Sequence, residues 1–181
     1  MRTAKEMFDY CMAEKLGSGF SSGNNLRHFE VIASKLQPDE DVLFVFIGLH
    51  NYKSITKHDN NFAYAISNKR ILMGQKKVIG EVFQSVSLDQ VNDVTFSTGL
   101  ALGIITIDTI KEKFNVALDK GQASNINDRI HELLFSLKEQ TRQPAAASSG
   151  ADELRKFKAL LDDGIISQEE FDKKKAQILG L

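Results

Sequence analysis

Residues 62–73, Phe62-Ala63-Tyr64-Ala65-Ile66-Ser67-Asn68-Lys69-Arg70-Ile71-Leu72-Met73, read as two strands folded back on one another. Phe62, Tyr64 and Ile66 take alternate positions, the period that places side chains on one face of a strand. Ile71 to Met73 resumes the apolar character after a short Asn68-Lys69 turn. Upstream, Val42 to Leu49 is a continuous apolar run of strand length. Downstream, Val78 to Gln84, Val86 to Phe96, Leu100 to Ile110 and the set Phe114, Val116 and Leu118 supply the remaining strands, seven in all. Turn residues recur at near-regular intervals and leave no room for the crossover helices of a parallel sheet, so antiparallel hairpins are expected.

The strands give way to a helical stripe. Between Gly121 and Gln140, Ile126, Ile130, Leu133, Leu134 and Leu137 repeat at the spacing of one helix face, and such a face has to cover apolar surface. The expected fold is α+β: a seven-stranded antiparallel bent barrel or sandwich with one open end capped by this helix. Two short helices precede it. Thr3 with Glu6 forms a capping box for a helix running toward Gly17, with Met7 and Cys11 on one face. After the connector GSGFSSGNN at 17–25, Leu26, Phe29, Ile32, Ala33 and Leu36 mark a second helix that Pro38 ends. Packing on the barrel, pairing with a second subunit and competing for a groove are all open to these helices.

Three motifs in the strand region, Ser67-Asn68-Lys69-Arg70-Ile71-Leu72, Leu88-Asp89-Gln90-Val91-x-Asp93-Val94 and Gly99-x-x-x-Gly103-x-Ile105-x-Ile107, resemble bacterial pleckstrin-homology-like (PH-like) domains of the YokE-like type. The resemblance spans about Leu36 to Gln140 and implies the PH fold, with a closing C-terminal helix.

Beyond the composition-defined linker RQPAAASSG at 142–150, the chain ends in a second helical signature. Leu154, Phe157, Leu160 and Leu161 form one stripe, Asp163-Gly164 stops it, and Ser167 with Glu170 caps a further helix carrying Phe171 and Ile178. A segment below about 40 residues, with neither cysteine nor histidine, lacks the usual devices for folding alone, so it is expected to associate. The pattern Leu154-x-x-Phe157-x-x-x-Leu161-x-Asp163-Gly164-x-Ile166-Ser167-x-x-Glu170-Phe171-x-x-x-Lys175 resembles the bacterial short C-terminal domain, SHOCT. That resemblance implies oligomerisation, with Leu154, Phe157, Leu161, Ile166, Phe171 and Ile178 as the contact residues. The expected division is an N-terminal helical segment at 1–37, the barrel at 38–141, a linker at 142–150 and the hairpin at 151–181.

Composition narrows the function. A hydrophobic fraction of 42% with 26% charged residues belongs to a globular protein, and a net charge of −1 disfavours nucleic acid as a partner. The single cysteine fits a reducing compartment, and no apolar run approaches a membrane span, so the cytoplasm is expected. Gly17-x-Gly19-x-x-x-Gly23 lacks dinucleotide spacing and follows a helix, and no Walker loop, nucleophile elbow or metalloprotease motif occurs. His28, His50, His58 and His131 are scattered, Cys11 sits on an apolar helix face, and Asp89 and Asp93 flank a strand without a companion nucleophile. No catalytic, cofactor-binding or metal-ligating residue is expected. The best ligand candidate is the loop from His50 to Asn61, with Tyr52, Lys53, Lys57 and His58. In lipid-binding PH domains the equivalent loop supplies a converging basic cluster; this chain lacks the spaced arginine pair, and Lys69, Arg70, Lys76 and Lys77 do not obviously restore it. The expectation is therefore a non-enzymatic bacterial or phage-borne adaptor that binds a protein or peptide through the barrel and self-associates through its tail. Peripheral attachment to anionic lipid at the first barrel loop is the alternative.

Overall fold

The computed structural model describes residues 1–17, 25–142 and 150–179. Two helices, α1 (Ala4–Ala13) and α2 (Asn25–Ala33), precede the strands β1 (Val42–Leu49), β2 (Asn61–Ser67), β3 (Arg70–Lys76), β4 (Glu81–Ser87), β5 (Val91–Thr98), β6 (Leu102–Thr109) and β7 (Lys113–Asp119). A long helix α3 (Lys120–Arg142) follows, then α4 (Gly150–Asp162) and α5 (Gln168–Leu179). All strand pairs are antiparallel, in the order β4-β3-β2-β1-β7-β6-β5. The seven-stranded antiparallel sheet and its C-terminal helix are those expected from the sequence.

Several boundaries differ. The stretch from Val78 begins as a turn, because the register pairs Lys76 with Glu81 and Gly80 takes the left-handed conformation (φ 78°) that closes the hairpin. Val86 belongs to β4, and a 3₁₀ turn at Leu88–Gln90 separates it from β5, so 86–96 is not one strand. The Thr3–Glu6 capping box is present, but α1 stops at Ala13, ahead of Lys15 (φ 55°) and Gly17 (φ 92°). α2 stops at Ala33, and Arg142 and Gly150 lie in helices. The connector at 18–24 and the linker at 143–149 lie outside the described residues.

The chain forms two compact units, Met1–Phe135 and Ser136–Leu181, with the boundary inside α3. In the first unit, Phe62, Tyr64 and Ile66 of β2 face the barrel interior, where Tyr64 stacks on Phe46 across the strand pair at 4.7 Å. Ile105, Ile107, Phe114, Val116 and Leu118 line the other half, and Ile126, Ile130 and Leu134 of α3 complete the core. The opposite face of β2 is also buried. Ala63 lies directly across from Gly74, and a Cβ at Gly74 would stand 2.8 Å from Ile32 Cγ1 and 2.9 Å from the His28 carbonyl oxygen. Small residues there let α2 approach the sheet backbone, and α1 and α2 thus form a second layer over β1–β3.

The N-terminal residues also repair a gap in the barrel. β1 and β7 pair only at Leu49 and Ala117, which leaves most of the β1 edge open. Val42 N–H donates to the Met1 carbonyl (3.1 Å) and Ile47 N–H to that of Leu16 (3.2 Å). Gly17 N–H donates to Gln122 Oε1 of α3 at 2.6 Å, and a Cβ at Gly17 would collide with the Ile47 carbonyl at 1.8 Å. Arg129 of α3 reaches back to Glu14 Oε2 (2.9 Å) and the Tyr10 hydroxyl (3.1 Å).

The Ser67–Arg70 turn is fixed by a buried ion pair. Arg70 donates through Nε to Glu40 Oε1 (2.9 Å) and through its terminal nitrogen to Oε2 (2.8 Å), with the Ser67 hydroxyl 2.8 Å from Oε1. Burial works to raise the Glu40 pKa, but the Arg70 guanidinium, the Gln37 N–H and the Ser67 hydroxyl overcome it and bring the pKa to about 2.

Candidate functional site

One end of the barrel carries a cleft of about 1060 Å³ between the β1–β2 loop, the β3–β4 turn and the β5–β6 turn. Leu49, Tyr52, Ile55, Val78 and Leu102 give it apolar walls, and His28, His58, Asn60, Asn61, Gln75, Lys76 and Lys77 add polar groups. Turns usually carry small and polar residues. These three carry Ile55 (79% exposed), Val78 (101%), Ile79 (90%) and Leu100 (103%), aliphatic side chains with almost no protein cover. A smaller pocket of about 340 Å³, lined by His50, Asp59, Phe62, Val82 and Gln84, shares His58, Asn60, Gln75 and Lys77 with the cleft.

Of the loop residues singled out from sequence, Tyr52 and His58 line the cleft and stack with ring centroids 6.4 Å apart. His58 is committed on both nitrogens: Nε2 lies 3.0 Å from the Ile55 carbonyl, and Nδ1 accepts from Asn60 N–H at 3.0 Å. A backbone bridge within the loop joins Ser54 and Lys57, and Lys53 N–H also donates to the Lys57 carbonyl at 2.9 Å. The Lys53 and Lys57 side chains are exposed and, with that of Lys77, form no ion pair among the described residues. The sequence reading missed Leu49, Ile55, Gln75, Val78 and Leu102. Aliphatic residues at the turn positions 55, 78, 79 and 100 were the available signal.

Two histidines border these spaces without facing solvent. His28 Nδ1 accepts from Lys76 N–H at 2.9 Å, which ties α2 to the β3–β4 hairpin; burial lowers its pKa, and the positive charge of Arg27 lowers it further. His50, at the start of the candidate loop, points inward between Phe62 and Phe114, its Nδ1 2.5 Å from the Tyr64 hydroxyl. Burial lowers its pKa too, against the opposing effects of Asp59 and Gln84. Cys11 is buried, and burial pushes its thiol up to about 12. Among the described residues no group of three or more histidine, cysteine or acidic side chains is placed to hold a metal ion. Among them, too, no helix is long and apolar enough to cross a membrane.

The second unit carries a different surface. α4 ends where Gly164 (φ 70°) turns the chain, with Gly164 N–H donating to the Leu161 carbonyl and Ile165 N–H to that of Leu160. Ser167 N–H donates to Glu170 Oε2 (2.8 Å) and Glu170 N–H to Ser167 Oγ (3.3 Å), the capping box that starts α5. Leu154, Phe157, Leu161, Ile166, Phe171 and Ile178 are all only partly buried, and no described residue of this unit is fully buried. Leu154, Ala159 and Phe171 line a groove of about 540 Å³ edged by Arg155, Lys158, Asp162 and Lys175.

A family model described as "Bacterial PH domain" matches residues 36–132, and one described as "Short C-terminal domain" (SHOCT) matches 152–179. No curated protein matches the chain. Among solved structures, the Vps36 N-terminal PH domain is similar at 15% identity and a TM-score of 0.46, over 57% of this chain and 86% of that one. The hSac2 domain from human phosphoinositide phosphatase Sac2 is similar at 12% identity and a TM-score of 0.44, over 67% of this chain and 86% of that one. The chain belongs to the bacterial PH domain family and carries a SHOCT domain at its C-terminal end.

Proposed function

We propose that this protein is a non-enzymatic adaptor, in which the PH barrel holds a protein or peptide segment in its end cleft and the SHOCT hairpin joins copies of the chain. The observation that carries this reading is the hairpin's apolar stripe, six large side chains of which none finds full burial within its own unit. Helices this short gain their stability from packing, so the stripe calls for a second surface. A second hairpin supplies an apolar surface of matching shape, with the polar edge of the groove, Arg155, Lys158, Asp162 and Lys175, left at the rim. The functional division follows the expected segments, with 38–141 as the binding barrel and 151–181 as the assembly module.

Light scattering over a concentration series tests the tail. The full chain is expected to scatter as a multimer, and both Leu161→Glu and a chain ending at Gln143 are expected to fall to the mass of a monomer. An unchanged mass in both variants removes the assembly role.

Peripheral attachment to an anionic membrane is the second reading, favoured by one observation: Ile55, Val78, Ile79 and Leu100 are exposed on the turns around the cleft, two of which also carry the exposed Lys53, Lys57 and Lys77. Failure of the full chain to float with phosphatidylglycerol vesicles at low salt would dispose of it.

A further inference from the structure

Resting on the adaptor reading, we infer that the end cleft recognises an extended acidic segment in which Asp or Glu alternates with bulky aliphatic or aromatic residues. Charge sets the sign of the partner. Lys77 lines the cleft, Lys53 and Lys57 are exposed on the β1–β2 loop that borders it, and none of the three has an ion pair among the described residues, whereas Lys76 is neutralised by Glu81 at 3.3 Å. Among the described residues no carboxylate lines the cleft itself. A partner carrying carboxylates meets Lys77 in the cleft and Lys53 and Lys57 on its loop, whereas the nearby acids are already engaged, Asp59 by the Asn51 amide and Glu81 by Lys35 and Lys76.

Apolar walls set the second half of the recognition. Leu49, Tyr52 and Leu102 lie within the cleft, and Ile55 and Val78 stand at its rim. A short aliphatic or aromatic side chain seated between them covers surface that the protein leaves to water. Polar atoms among these walls choose a main chain over a hydrocarbon layer. Gln75 spends its amide hydrogens on the carbonyls of Asp59 (2.7 Å) and Asn61 (3.1 Å), which leaves its side-chain oxygen without a donor among the described residues. The Tyr52 hydroxyl likewise has no hydrogen bond among them, although the Tyr52 N–H donates to the Asn115 carbonyl at 2.9 Å. Acyl chains would strand both groups, whereas peptide N–H and C=O groups complete them. Side chains of strand ends, of α2 and of three turns together form this site.

The test pans the full-length protein against a random twelve-residue peptide library displayed on phage. Recovered sequences are synthesised, and their binding is read by fluorescence anisotropy against the wild type, Lys53→Glu, Lys77→Glu and Val78→Ser. All three positions are exposed, so the variants keep the fold. The expected result is enrichment of Asp or Glu beside Leu, Ile, Val or Phe. Binding should weaken at least tenfold in Lys77→Glu and in Val78→Ser, and should weaken as salt is raised. Neutral or basic sequences that still need Val78 overturn the acidic specificity while leaving the cleft as a binding site. Sequences indifferent to all three substitutions, or no enrichment at all, overturn the inference and the cleft's role together. Sedimentation of the protein with phosphatidylglycerol vesicles, lost in the same variants and unaccompanied by any peptide binder, reassigns the cleft to lipid.

Discussion

Glu40 and Arg70 are thirty residues apart, yet their side chains form a two-point ion pair that holds the entry to β1 against the β2–β3 turn. The Glu40 side chain is fully buried, so removing one partner leaves an uncompensated charge inside the protein. Its pKa of about 2 lies below the ordinary 4.5, so the folded state binds this proton more weakly than the unfolded chain. The pair therefore contributes its full stability above pH 4.5, on the order of 3 kcal/mol, and loses it as pH falls toward 2. His28 and His50 act earlier. Both are held below the ordinary 6.5 by burial, so the unfolded chain takes up protons first and stability declines as pH drops beneath 6.5. Urea titrations from pH 8 to pH 2.5 are expected to show two successive descents. Glu40→Gln should lower stability at neutral pH and flatten the second descent, leaving the first in place.

At the scale of elements, α2 packs on β3 because Gly74 has no side chain. Gly74→Val would drive its methyl groups into Ile32 and the α2 backbone, neither of which yields without lifting the helix. A loss of about 2 to 3 kcal/mol is expected in chemical denaturation, as for overpacked cores. Gly99→Ala is the matched control: its Cβ would meet only the Leu102 carbonyl, at 3.6 Å, and its effect should stay within about 0.5 kcal/mol. The same pair of variants separates two consequences of the helical layer. If α2 also steadies the cleft through the His28–Lys76 hydrogen bond, Gly74→Val should weaken binding of a cleft peptide even where the barrel remains folded.

At the scale of the molecule, the two compact units differ in how their apolar residues are satisfied. Strands β1–β3 are buried on both faces, whereas the hairpin of α4 and α5 has no fully buried residue among those described. Amide exchange should therefore be slow and independent of protein concentration in β1–β3. In α4 and α5 it should be fast in dilute solution and slow down as concentration rises. Exchange in the hairpin that ignores concentration would contradict the proposed assembly role. If the tails join several clefts, as proposed, a weak single contact becomes a tight multivalent one, since each further engagement is intramolecular.

Sequence alone determined what depends on neighbours a few positions apart. The period of two along Phe62, Tyr64 and Ile66, the capping boxes at Thr3 and Ser167, the α3 stripe through Ile126 and Ile130, and the stop at Gly164 are local, and each appears in the structure. Strand limits around Val78 and Val86 were less legible, because apolar character there marks an exposed turn tip and a chain reversal as well as strand. Tertiary structure alone decided the rest. Ala63 and Gly74 read as unremarkable small residues until α2, some thirty to fifty positions earlier, is laid across them. The open edge of β1 exists only because the barrel splays from β7, and residues 1 and 16–17 are there to fill it. Half of the candidate loop was visible as Tyr52 and His58, but the cleft gathers side chains from positions 28 to 102, and no periodicity spans that distance.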